Sequence, residues 1–258
     1  MTEIADAFRN GKAFVAFVTC GDPDLETTKS VIRSLQDNGA DLIELGIPFS
    51  DPTAEGPVIQ AANTRALSGG VTTDSIFEML EEIRGEIRIP TVFMTYANVV
   101  FSYGTERFVK RCKDVGIRGL ILPDVPYEER EDFAPACEKE GLALISMIAP
   151  TSADRISMIS KQAKGFIYLV SSLGVTGTRS EITTDIGSIT KLIKESSDTP
   201  VAVGFGISNP EQARKMAVHA DGVIVGSAIV RLLEKHGKDA AGPIGEFTKS
   251  MKDAVRDL

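Results

Sequence analysis

The feature that most constrains this chain is an eightfold alternation of short apolar runs with helical segments. The runs fall at residues 13–19, 41–45, 91–95, 119–122, 142–148, 166–170, 200–203 and 222–225. Most are nearly continuous in Val, Ile, Leu, Phe and Ala, the pattern of strands buried on both faces of a parallel sheet. Between them, apolar residues recur at helical spacing: Val31, Ile32 and Leu35; Ile76, Leu80 and Ile83; Phe108, Cys112 and Val115; Ile156, Ile159 and Ala163. The punctuation agrees. Pro57 can open a helix, Thr72 or Thr73, Thr105, and Ser208 or Asn209 can cap others, and Glu211 is placed for a capping box. A helix is expected over 127–140, and Asn38-Gly39, Gly69-Gly70, Gly116 and Gly141 stop helices. Eight such units in 258 residues favour an α/β fold closed as a (β/α)8 TIM barrel over a doubly wound open sheet. The pattern adds an N-terminal helix and further short helices after strands two and eight. With no linker, charge block or low-complexity segment, residues 1–258 read as a single barrel domain.

Charge and residue usage narrow the function. The chain carries 28 Lys and Arg against 36 Asp and Glu, a net −8. That balance argues against nucleic acid or an anionic membrane as partner, since both attract a basic face. No apolar run approaches the ~20 residues that span a bilayer, and the opening MTEIADAFRNGK has no signal-peptide core. Cys20, Cys112 and Cys137 are scattered with no C-x-x-C pair, and His219 and His236 are the whole histidine complement. A disulfide frame, a zinc site and a histidine-based triad are therefore all disfavoured. The expectation is a cytoplasmic, reduced chain without a cofactor of its own.

In a barrel of this kind the chemistry sits at the C-terminal ends of the strands. The second strand and its loop, DLIELGIPFSDPTAEGP over residues 41–57, bring acids to that place. Strand alternation puts Leu42 and Glu44 on one face and Ile43 and Leu45 on the other. If Leu42 is core, Glu44 points inward, which is costly unless the group is paired, hydrated or held with a raised pKa. Glu55, in the following loop, can fold back over it to make an acid/base pair. The alternatives are a strand-end Glu44 that reaches solvent or a lysine, and loop acids at Asp51 and Glu55 that serve a turn and a helix start. After strands seven and eight come Gly204-Phe205-Gly206-Ile207-Ser208 and Gly226-Ser227, the latter opening a helix. Such glycines let backbone N–H groups approach an anion, and a helix N-terminus adds positive potential, so the pair suggests a phosphate cradle. Read alone, the same glycines are ordinary turn residues.

At these residues the chain resembles the tryptophan synthase α subunit family. The likeness runs through ELGIPFSDPTAEGPVIQ, MTYANVVFSYG, LPDVPYEE, APTS, YLVSSLGVTGTR, VGFGIS and VGSAIV, in order and over essentially the whole chain. The resemblance implies a carbon–carbon lyase that cleaves indole-3-glycerol phosphate to indole and glyceraldehyde 3-phosphate in tryptophan biosynthesis. It implies a β subunit that receives the indole and carries pyridoxal phosphate, in an α2β2 heterotetramer. Glu44 matches the family's acid/base carboxylate. The second carboxylate falls at Glu55, where the family pattern has Asp; the charge is kept and the side chain is one methylene longer. By the same resemblance Gly177, Gly206, Gly226 and Ser227 bind phosphate, and Phe17, Ile59, Met94, Tyr96, Tyr168 and Phe205 enclose the indole, with Tyr168 near Glu55. Thr176 lies in a loop that closes over the substrate, and the 48–54, 98–101 and Pro126 regions face the β subunit. Two other readings stay open: a different sugar-phosphate barrel enzyme, and a weakly active or non-catalytic subunit that activates a partner.

Overall fold

The computed structural model describes residues 3–171, 185–204 and 206–258. Its nine strands are all parallel, and each expected apolar run forms one or, in a single case, two of them. In chain order they are β1 (Ala13–Thr19), β2 (Leu42–Gly46), β3 (Thr91–Met94), β4 (Gly119–Ile121), β5 (Ala143–Leu144), β6 (Ser146–Ile148), β7 (Ile167–Val170), β8 (Val201–Gly204) and β9 (Gly222–Val225). Neighbours follow the order β5-β4-β3-β2-β1-β9-β8-β7-β6. The run expected as one strand over 142–148 is broken at Ile145. Its first half pairs with β4 (Leu120 beside Leu144) and its second half with β7 (Met147 beside Tyr168). The fifth stave thus leaves one neighbour as it joins the other, and the sheet closes into the expected eight-stave barrel through the two halves of that stave.

Helices form the outer ring: α1 (Leu25–Asp37), α2 (Pro57–Ser68), α3 (Thr73–Ile83), α4 (Ala97–Tyr103), α5 (Thr105–Val115), α6 (Ala134–Glu140), α7 (Ala153–Ser160), α8 (Ile186–Lys194), α9 (Pro210–Ala217), α10 (Ser227–His236) and α11 (Ala241–Val255). The extra helix after β2 is α3, capped as expected by Thr72, whose hydroxyl accepts from the Ser75 N–H. Four local features depart from the sequence reading. Helix α4 has no helical apolar stripe, with Val100 its one buried side chain, so its sequence carries no periodic signal. The cap of α5 is Gly104 at φ +92°, not Thr105, because α4 ends there and the chain must reverse within one residue. The segment expected as a helix over 127–140 is a 3₁₀ turn (Tyr127–Asp132) followed by α6. Pro135 sits in the first turn of α6, where its missing N–H costs nothing, and would clash inside a longer helix. At α9, Asn209 caps by accepting from the Gln212 N–H, and Gln212 rather than Glu211 reaches back to the Ser208 N–H.

Alternation along each strand sorts the core into two shells. Phe14, Ala16, Val18, Ile43, Leu45 and Phe93 face the helices, while Val15, Phe17, Leu42, Val92, Met94, Ile121 and Tyr168 fill the barrel interior. The first helix is a short 3₁₀ turn, Ile4–Phe8, that closes the barrel's lower end. Ile4 packs where a side chain at Gly119 would lie 3.1 Å from its Cδ1, and the ring of Phe8 lies 5.8 Å from that of Phe166. The floor is therefore sealed by apolar groups, and the open end is the one where the strands terminate.

Candidate active site

The inward parity expected for Glu44 holds. It shares its face of β2 with buried Leu42, lies beside Phe17 of β1 in register, and is 1 % exposed. Its Oε2 has no hydrogen-bond partner among the described residues. An ionised carboxylate there would have lost its hydration without compensation. Burial, and secondarily the nearby charge of Glu55, push its pKa up to about 8.

Glu55 reaches the same cavity from the loop after β2 and is also buried. The loop is folded back by three contacts. The Gln60 side-chain amide donates to the Glu55 carbonyl at 2.7 Å, Asn63 Nδ2 donates to Glu55 Oε2 at 2.6 Å, and the Ala54 N–H donates to the Tyr96 hydroxyl at 3.1 Å. Gln60 and Asn63 belong to α2, which Pro57 opens immediately after the loop. Burial raises the Glu55 pKa to about 7, and hydrogen bonds from Asn63 and Tyr96 hold it below that of Glu44. Asp51, by contrast, is exposed and hydrogen-bonded to Ser50, as a turn residue would be.

Around the two acids the cavity is lined by Phe17, Ile59, Met94 and Tyr168, with Gly206, Gly226 and Ser227 along one side and about 460 Å³ of empty space. Glycines make room for the rings. A Cβ at Gly46 would lie 2.7 Å from the Phe17 ring, and one at Gly204 would lie 2.6 Å from the Tyr168 hydroxyl. Gly206 has φ +90°, a backbone conformation that side chains strongly disfavour. The first amides of α10 have no partner within their helix and open beside Gly226, so the helix start adds positive potential at the cavity lining. A larger cavity, with about 1180 Å³ of empty space, lies where β4 and β6 part, but its ionisable groups, Asp124, Tyr127, Arg130 and Arg155, are all at least partly exposed. The smaller cavity is the one that buries facing acids beside a helix N-terminus.

The structure thus brings together Phe17, Glu44, Glu55, Ile59, Met94, Tyr168, Gly206, Gly226 and Ser227. Thr176, Gly177 and Phe205 lie outside the described residues. Tyr96 does not line the cavity. It stands behind Glu55 with Phe49 stacked on it, ring centroids 5.2 Å apart. Tyr168 is set against Glu44, whose charge, after burial, raises its pKa further. Sequence reasoning passed over Asn63, Ile207 and Ile224. Ile224 was legible as an inward strand position, and Asn63 as the one amide on the α2 stripe of Ile59, Ala62 and Ala66.

The raised acids have a consequence for stability. A carboxyl with a higher pKa folded than unfolded makes the native state bind more protons, so its stability contribution is full below the unfolded pKa and is lost as pH rises. With folded values of about 8 for Glu44 and about 7 for Glu55, the loss should run from the ordinary carboxylate range up to about pH 8. Urea unfolding should accordingly show lower stability at pH 8.5 than at pH 5.5, by about 2 kcal/mol or more, and Glu44→Gln should flatten the trend. A flat wild-type curve would mean that Glu44 is ionised and solvated in the native state.

Comparison with known proteins agrees with this arrangement. The family model described as tryptophan synthase alpha chain matches residues 4–256. The tryptophan synthase alpha chain of Lacticaseibacillus casei is 49 % identical over 99 % of this chain and 96 % of that protein. Among solved structures, tryptophan synthase subunit alpha from Campylobacter jejuni superposes with a TM-score of 0.84 at 37 % identity, covering 97 % of this chain and 99 % of that one. A tryptophan synthase structure from Mycobacterium tuberculosis does so with a TM-score of 0.89 at 32 % identity, covering 99 % and 98 %. With a full-length family match, near-half identity to a relative and the same barrel carrying the paired acids, this chain belongs to the tryptophan synthase alpha chain family.

Proposed function

We propose that the chain cleaves indole-3-glycerol phosphate to indole and glyceraldehyde 3-phosphate, with the whole barrel acting as one domain. The observation that carries this reading is the pair of buried acids, Glu44 and Glu55, in an apolar cavity whose lining also includes a helix N-terminus flanked by glycines. In the retro-aldol step a proton is delivered to indole C3, making the ring an electron sink. The glyceryl hydroxyl beside that carbon loses its proton and becomes the aldehyde. The electron pair of the breaking C–C bond returns to the ring and restores indole. Glu44, protonated near neutrality, can give the first proton and then take the second, so that it ends as it began. Glu55, more readily ionised, accepts the indole N–H and stabilises the positive charge that develops on the ring. Phe17, Ile59, Met94 and Tyr168 flank the ring. Gly206, Gly226 and Ser227 take the phosphate at the mouth of α10, in the register where barrels of this kind hold one.

The chain works with a β subunit that supplies the pyridoxal phosphate, in an α2β2 assembly, and needs no cofactor of its own for the cleavage. The exposed Phe101, its ring tilted against that of Phe133 with centroids 4.7 Å apart, offers an apolar docking point. A cytoplasmic setting accords with three free, buried cysteines and with the absence, among the described residues, of any helix long and apolar enough to cross a membrane. The test is indole release from indole-3-glycerol phosphate by the pure chain and by the chain with a β subunit. Release in both, faster with the partner, is expected. Release in neither would overturn the assignment, and release only with the partner would favour an activating subunit.

A further inference from the structure

Two facing carboxylates in one apolar cavity raise a question that the reaction alone does not answer: which of them carries the charge. Both are buried, and the lining of their cavity contains no lysine, arginine or histidine among the described residues. Arg65, two residues along α2 from Asn63, is already committed to Asp22 through two 2.8 Å hydrogen bonds. Glu44 is the more deeply buried, and the acids differ further in their donors. Glu44 leaves Oε2 bare, whereas Glu55 receives the Asn63 amide at 2.6 Å on its Oε2. Asn63 is 4 % exposed and stands outside the cavity lining, on the inward stripe of α2 one turn after Ile59.

We propose that Asn63 is the positioning residue that makes Glu55 the anion of the pair, by pinning its Oε2 and leaving its other oxygen to face the cavity. The inference deepens the lyase reading and rests on it only for the effect on turnover. An amide N–H donated to a carboxylate favours the ionised form, and a carboxylate without a donor in the same apolar space keeps its proton. The other titratable groups around the pair are Tyr96, which follows β3 and hydrogen-bonds Glu55, and Tyr168 of β7, which faces Glu44. Asp124 acts on Tyr96 from beyond β4. None of these is cationic, so the two acids are separated by the deeper burial of Glu44 and by the hydrogen bonds that Asn63 and Tyr96 give to Glu55, with Asn63 the larger of the two. Glu55, at about 7, accordingly lies below Glu44, at about 8.

The test follows the carboxyl carbons of isotope-labelled glutamate by NMR as pH is changed, with Glu44→Gln and Glu55→Gln identifying the two signals. Asn63→Leu keeps the volume and removes the donor. Asn63→Asp replaces the donor with a further acid. The Glu55 transition should move up by about 1–2 pH units in Asn63→Leu, the size expected for losing a hydrogen bond to a charged group, and further in Asn63→Asp. In activity assays the acid limb of the kcat profile should move with it, while KM changes little. A Glu55 transition unmoved in both variants would overturn the proposal even if activity fell. A shifted transition in a chain that releases no indole under any condition would instead count against the lyase reading and leave this assignment standing.

Discussion

Replacing Glu44 with glutamine is expected to lower indole formation by about 10³-fold or more while leaving inorganic phosphate binding within about twofold of wild type. The asymmetry follows from where the two functions sit. Glutamine keeps the shape of the side chain at the inward end of β2, so Phe17, Met94 and Tyr168 need not repack. What it removes is the transferable proton, and with it both the donation to C3 and the later removal of the hydroxyl proton. The anion cradle, formed by Gly206 and the start of α10, shares no atom with the substituted group. The outcome can be read from single-turnover indole release and from phosphate titration of the same preparations. Wild-type turnover in the variant would take Glu44 out of the mechanism. Parallel loss of both activities would mean that the substitution had disturbed the barrel mouth as a whole.

The second large effect is on stability and begins away from the acids. Asp22, in the loop after β1, is 1 % exposed, and both of its oxygens accept from Arg65 of α2 at 2.8 Å. Arg65 also reaches Glu234 of α10 at 3.3 Å. Arg65→Met would keep the aliphatic stem and strand a buried carboxylate, a change that costs about 3–5 kcal/mol. For a chain of this size the melting temperature should fall by roughly 10 °C. Asp22→Asn together with Arg65→Met should recover much of the loss, because the cost is that of the unpaired charge rather than the value of the bond. A double variant no more stable than Arg65→Met would locate the loss in packing instead. The position matters for function because α2 also carries Ile59 and Asn63 into the site. Turnover measured well below the melting point will show whether loosening the outer end of α2 reaches the Asn63–Glu55 contact.

How much of this was legible in the chain can be seen at particular residues. Glu44 was placed by parity alone, since a period of two leaves an inward or an outward choice and Leu42 settles it. The glycines after the seventh and eighth expected strands were placed by register, since α10 starts directly at Ser227. Helix α4 was not legible, because most of its side chains stay partly exposed and it has no stripe to read. The break at Ile145 was not legible either. Residues 142–148 read as one run whichever neighbour each half pairs with, and only the closure of the sheet distributes those pairs.

The sequence by itself determined the eight-stave barrel, the inward glutamate and the glycine-flanked helix start, because periodicity and punctuation are local properties carried by neighbouring residues. Tertiary structure alone decided that Tyr96 supports Glu55 from behind rather than lining the cavity, that Tyr168 faces Glu44, and that Asn63 joins Tyr96 in giving Glu55 the donors that Glu44 Oε2 lacks. Those outcomes depend on distances between groups on different elements, and on how little water is left between them. No spacing along the chain encodes either quantity.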